Sequence, residues 1–124
     1  MIDFKNAEYL KLAPIDPKQG ASMAGQLLIP GEQIVAAFKT IRDAVIFTDR
    51  RIIAINVQGI TGKKVDYTSL PLSRIQAFSV ETAGTFDLDS ELILWFSGLG
   101  RVKMEFTRGV DIEAMGRFIA GAVL

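Results

Sequence analysis

From residue 33 to residue 107 the chain keeps returning to short runs of β-branched and aromatic residues separated by turn chemistry, and this rhythm constrains the fold more than any other feature. Residues 33–41 carry Phe38 among β-branched neighbours, and residues 43–48 follow after a tight turn with Val45, Ile46 and Phe47. Thr48-Asp49-Arg50 then turns into residues 51–58, where Ile52, Ile53, Ile55 and Val57 predict a strand covered on both faces. Gly59-Ile60-Thr61-Gly62 reads as a hairpin loop, since its glycines supply the positive φ angles such loops need.

Residues 63–70 return with Val65 and Tyr67 on one side. Residues 75–82 alternate likewise, with Phe78 and Val80 sharing a face. After a loop at 83–89, residues 90–96 and 101–107 form a hairpin around Ser97-Gly98-Leu99-Gly100. The last segment has the cleanest period of two: Val102, Met104 and Phe106 alternate with Arg101, Lys103, Glu105 and Thr107.

The period then changes. From Asp111 the apolar residues fall at Ile112, Met115, Phe118, Ile119, Ala122 and Val123, which is helical spacing. Asp111 suits the N-cap, and Val110 with Met115 occupies the two positions of a hydrophobic staple. The prediction is a mainly β domain of about seven short antiparallel strands closed by one helix, as a small barrel or a strongly bent sheet.

The first thirty residues read differently and are expected to form an extension (1–30) to a domain spanning 31–124. Asn6 is a cap for a short helix through Leu12, with Tyr9, Leu10 and Ala13 as its apolar side, and Pro14 and Pro17 break it. A second helical piece is predicted over 18–27, although it contains Gly20 and Gly25; Pro30-Gly31 marks a turn.

Composition excludes several function classes. With neither Cys nor His, the chain has no disulfide framework, thiol nucleophile, Cys/His zinc site or imidazole base. Basic and acidic residues number 14 each, so the basic excess of a nucleic-acid binder is missing, and no nucleic-acid partner is expected. Zero net charge also removes long-range repulsion between copies. Residues 1–6, with acidic Asp3, do not resemble a secretory signal, and no apolar run reaches the roughly 20 residues of a membrane span. A soluble, cytoplasmic protein without cofactor is the expectation.

Several segments carry a resemblance to a known group: Gly31-Glu32, Arg42-Asp43, Phe47-Thr48-Asp49-Arg50-Arg51-Ile52-Ile53, Gly62-Lys63-Lys64, Leu70-Pro71-Leu72-Ser73-Arg74-Ile75 and Phe78-Ser79-Val80-Glu81-Thr82-Ala83-Gly84-Thr85. In this order, across residues 30–124, they resemble the bacterial pleckstrin-homology-like (PH-like) family. The resemblance implies a bent seven-stranded antiparallel barrel capped by the C-terminal helix. It further implies ring-like homo-oligomers. Phosphoinositide-reading relatives place a Lys, a spacer and a basic-x-Arg group around their first hairpin. Here that region offers Lys39, Arg42 and the adjacent Arg50-Arg51, so phosphoinositide binding does not carry over.

Smaller constellations bear on chemistry. Gly62-Lys63-Lys64 is no phosphate loop, because Val57 stands where its first glycine belongs and Lys64 where Ser or Thr belongs. Asp87, Asp89 and Glu91 alternate, but Leu92 and Gly98 replace the glycine and closing Glu of a calcium loop, so no metal site is expected. Ser69, Ser73, Ser79 and Ser97 lack a nucleophile elbow, and no catalytic residue is assigned. Arg42, Arg50, Arg51, Lys63 and Lys64 lie at strand ends and form a candidate basic rim for an anionic lipid or other anionic ligand, with Asp43, Asp49 and Asp66 interleaved as candidate salt-bridge partners. With Leu92, Leu94 and Phe96 on the core face, Ile93 and Trp95 point outward. Two readings of that pair stand: a contact for another protein or copy, or a patch covered by the N-terminal helix. The leading expectation is a non-catalytic binding and assembly module that self-associates; the alternative is an adaptor for an anionic ligand.

Overall fold

A computed structural model describes Met1 and residues 9–124 of the chain. Its elements are β1 (Tyr9–Ile15), α1 (Pro17–Ala24) followed by a 3-10 turn (Gly25–Leu27), β2 (Ile34–Lys39), β3 (Ala44–Thr48), β4 (Arg51–Gln58), β5 (Lys64–Pro71), a 3-10 turn (Leu72–Arg74), β6 (Ile75–Glu81), β7 (Ser90–Phe96), β8 (Gly100–Phe106) and α2 (Ile112–Val123). The described strands form one sheet of eight, ordered β5-β4-β3-β2-β1-β8-β7-β6. The architecture is mainly β with a C-terminal helix, as the strand rhythm predicts.

Two expectations are corrected. The sheet has eight strands rather than seven, and it is not closed into a barrel: β5 and β6, joined by the Leu72–Arg74 turn, stand at opposite ends of the strand order. The extra strand is β1, where the sequence pattern predicts helix up to Leu12; residues 6–8 of that expected helix lie outside the described residues. Pairing overrides the local pattern here, because Leu12 is wholly buried and β1 bonds to β2 on one side and β8 on the other. The boundary expected at residue 30 therefore runs through the sheet. Pro14 sits inside β1 opposite Phe38, and Pro17 opens α1 rather than breaking a helix. The helix predicted over 18–27 is present as α1 and its 3-10 turn.

The inner face of the bent sheet holds the main core. Leu12, Phe38, Phe47, Ile52, Leu94 and Phe106 are among its buried residues, and α2 covers it through Ile112, Met115 and Ile119. Edge-on aromatic contacts tie β2, β3, β8 and α2 together: ring centroids lie 5.8 Å apart for Phe38–Phe47, 4.8 Å for Phe38–Phe106 and 6.4 Å for Phe47–Phe118. Asp111 caps α2 by accepting from the Ala114 amide at 3.0 Å. Gly116 lets this helix approach Val80, whose Cγ1 would lie 3.0 Å from an added Cβ.

A smaller core lies on the outer face of β2–β4. Ala37, Ala44, Ile46, Ile53 and Ile55 are buried there beneath Ala24, with Met23 and Leu28 packed alongside. This explains why β4 is apolar on both faces. Gly20 sets the distance of closest approach, since a Cβ at that position would sit 2.8 Å from the Ala37 Cβ.

Candidate interaction surfaces

Antiparallel hairpins turn alternately at the two ends of a sheet, so the basic residues of the expected rim separate. Arg42, in the β2–β3 turn, and Lys63 and Lys64, at the β4–β5 turn, share one end. Arg50 and Arg51, at the β3–β4 turn, lie at the other, one eight-residue strand away or roughly 25 Å. The five do not converge.

Arg51 is also engaged. Its Nε and Nη2 donate to the Glu32 carboxylate at 2.9 and 3.0 Å, its Nη1 donates to Ser69 Oγ at 3.0 Å, and Nη2 reaches the Leu27 carbonyl as well. Glu32 additionally accepts from Thr48 Oγ1 at 2.6 Å and from the Ile29 amide at 3.1 Å. Burial alone would push the Glu32 carboxyl up, but the hydrogen bonds from Arg51, Thr48 and Ile29 and the Arg51 charge outweigh it and hold the pKa at about 2. This buried network locks the α1–β2 connection onto the β3–β4 turn. Sequence spacing alone does not reveal it: a carboxylate 19 positions from its arginine becomes visible only through the sheet register.

At the opposite end, Arg42 Nη2 donates to the Gly59 carbonyl at 2.6 Å and so joins two hairpin tips. Each tip carries a fully exposed isoleucine, Ile41 and Ile60. Lys39, Lys63 and Lys64 are exposed beside them, while Asp43 turns inward to accept from the Val57 amide at 3.0 Å. The isoleucines are legible in the sequence as aliphatic residues inside turns. Gly59 and Gly62, at φ 76° and 68°, have the backbone of the predicted hairpin loop.

Asp89 and Glu91 of the acidic run are ion-paired, while Asp87 accepts from the Asp89 amide at 3.1 Å. Lys11 Nζ pairs with Asp89 and, at 3.4 Å, with Glu105; Lys103 pairs with Glu91 at 3.2 Å. The hydrogen bond between them lowers the Asp89 carboxyl and raises the Lys11 ammonium from their usual ranges. Among the described residues, no cluster of three or more His, Cys, Asp or Glu side chains is placed to hold a metal ion.

The outer face of β6–β8 is the contrasting surface. Leu92, Leu94 and Phe96 are buried on the core side of β7, as their alternation predicts; Ile93 is half-buried and Trp95 is 46% exposed on the other side. Trp95 stands opposite Ala77 and Arg101, and Ile93 opposite Ser79 and Lys103. Helix α1 lies on β2; residues 6–8 of the helix expected to begin at Asn6, the alternative cover for this pair, lie outside the described residues.

A family model described as "Bacterial PH domain" matches residues 3–123. The chain belongs to the bacterial PH domain family. The match takes in β1 as well as the segments that carry the sequence resemblance. Among relatives, this bacterial PH domain is 46% identical over 100 residues to the uncharacterised protein YjqA of Bacillus subtilis strain 168, covering 79% of this chain and 80% of that protein. A crystal structure of a protein with a pleckstrin-homology domain from Shewanella loihica PV-4 is 40% identical and superposes with a TM-score of 0.80, covering 93% of this chain and 99% of the other. The pleckstrin-homology domain of Shewanella amazonensis SB2B is 41% identical, with a TM-score of 0.66 and coverage of 96% and 93%. No helix among the described residues is long and apolar enough to cross a membrane.

Proposed function

We propose that this bacterial PH domain is a non-catalytic binding and assembly module that self-associates, in a ring-like homo-oligomer, and serves as a protein-interaction scaffold in the cytoplasm. The observation that carries this reading is the outward face of β7, where Trp95 is 46% exposed and Ile93 half-buried beside Arg101 and Lys103 of β8, with α1 lying on the other half of the sheet. A partly exposed tryptophan beside an arginine is a pair of residue types enriched at protein–protein contacts. The balanced net charge opposes no such association. Light scattering on the eluting protein tests it: the native chain is expected at a discrete multiple of 13.6 kDa, and Trp95→Glu at the single-chain mass with unchanged circular dichroism. A native monomer, or a folded Trp95→Glu protein of unchanged mass, contradicts the reading.

A second reading rests on a different observation. The paired tips present Ile41 and Ile60 fully exposed among Lys39, Arg42, Lys63 and Lys64, the chemistry of a contact with an anionic bilayer surface. In this reading Arg50 and Arg51, at the other end, take no part. Sedimentation with phosphatidylserine vesicles at low salt tests it, and failure to co-sediment removes it.

A further inference from the structure

Strand β1 is the seam of the sheet, and among the described residues it aligns with β2 over Ala13, Pro14 and Ile15 and with β8 at Tyr9 and Leu12, whereas β4 and β5 align over eight residue pairs. Pro14, in the middle of the β2 pairing, has no amide to donate. Between the two β8 pairs the register shifts, and Lys11 takes a left-handed φ of 59°, a conformation that disfavours any residue with a Cβ.

The next element along the chain is held independently of β1. Helix α1 has its own cap, the Asp16 carboxylate accepting from the Lys18 amide at 2.8 Å, and its own seat, Gly20 against Ala37 and Ile46. Asp16 is the one residue between β1 and α1, and it is extended (φ −60°, ψ 134°), as its position before Pro17 requires. A connection this short is the kind that invites exchange of an element between copies. If β1 left its place, β2 and β8 would flank an open slot with unpaired ladder groups and a pocket shaped by Leu12. The segment that fits this slot is β1 itself, and every copy of the chain carries one.

We infer that the β2–β8 slot is a strand-receiving surface whose partner is β1 of a second copy, so that each chain donates this strand to a neighbour. The inference rests on the self-association reading and specifies how the copies are tied together. Exchange keeps every pairing of β1 and changes only which chain supplies it. A chain that gives one strand and receives one assembles as a reciprocal pair or a closed ring.

The absence of Cys makes the test clean. In Ala13→Cys/Lys39→Cys the new thiols face each other across β1 and β2, at a separation a disulfide spans. A control pair, Gln58→Cys/Lys64→Cys, lies within one hairpin and oxidises inside a single chain. After mild oxidation and non-reducing denaturing electrophoresis, the β1–β2 pair is expected to give covalent multimers and the control a single chain. A multi-copy native mass with only an intrachain bond at 13–39 overturns the exchange and leaves self-association standing. Oxidation of the control but not of 13–39 overturns it too, because the β1–β2 register is then absent. A native monomer overturns both.

Discussion

The two halves of the sheet make opposite use of their outer faces. Over β2–β4 that face is clad: Ala37, Ile46, Ile53 and Ile55 are buried under α1 and its connection, and the Glu32–Arg51–Thr48 network fastens the cladding down. Over β6–β8 it is more open among the described residues, with Trp95 nearly half exposed and Arg101 alongside. The outward apolar residues Ala37, Ile46, Ile53 and Ile55 are covered within the chain, whereas Trp95 is partly exposed, and in the self-association reading it is this residue that meets another copy. Substitutions in the clad half are therefore expected to cost folding, and those in the open half to cost assembly.

The largest folding effect is expected at the fastening. Glu32→Gln leaves the Arg51 guanidinium without its counter-charge and is expected to destabilise by about 3–5 kcal/mol in urea unfolding. Glu32→Gln/Arg51→Met is expected to recover a large part of that loss. A single variant as stable as the native chain would break the claim that the clad half is fastened there.

Acid acts through the same group. The folded Glu32 carboxyl, near 2, lies below its ordinary 4.5, so its contribution is present in full above about pH 4.5 and is lost as the pH falls through about 2. That difference corresponds to roughly 3 kcal/mol. Unfolding free energies across that window should fall more steeply in the native chain than in Glu32→Gln; parallel curves would contradict it.

Gly20→Ala sets packing against propensity. The new Cβ would meet the Ala37 Cβ at 2.8 Å, for which about 1–3 kcal/mol of overpacking is expected. Gly121→Ala, in α2 with nothing within 4 Å, is expected to gain up to about 1 kcal/mol by helix propensity. Opposite signs in thermal unfolding sharpen the comparison; equal signs would show that α1 is not tightly seated. Smallest of all, Trp95→Ser is expected to change the unfolding free energy of the single chain, measured at high dilution, by no more than about 0.5 kcal/mol. A loss above 2 kcal/mol would make Trp95 a core residue of its own chain.

Much of this arrangement is legible in residue patterns. The strands β4 and β7 and the cap of α2 come directly from alternation and from Asp111, because burial on one face leaves a period that neighbours do not disturb. Apolar residues on both faces of β4 announce a second covering layer. What alternation does not carry is partnership between distant segments. Tyr9–Leu12 has a helical look and becomes strand because β2 and β8 offer it edges. Arg51 looks like part of a basic rim until the fold brings Glu32 to it. Arg42 and Lys63 can be grouped from topology alone, by counting hairpins, and the same count separates Arg50 from both.

The central claim is that the outward face of β7 is where copies meet, and Trp95 is its own reporter, being the single tryptophan of the chain. Acrylamide quenching of its fluorescence, followed across a dilution series with the mass recorded on the same samples, tests this directly. A blue-shifted, protected tryptophan is expected at high concentration, becoming red-shifted and readily quenched as the mass falls to one chain. A multi-copy protein whose Trp95 stays equally accessible throughout would contradict it.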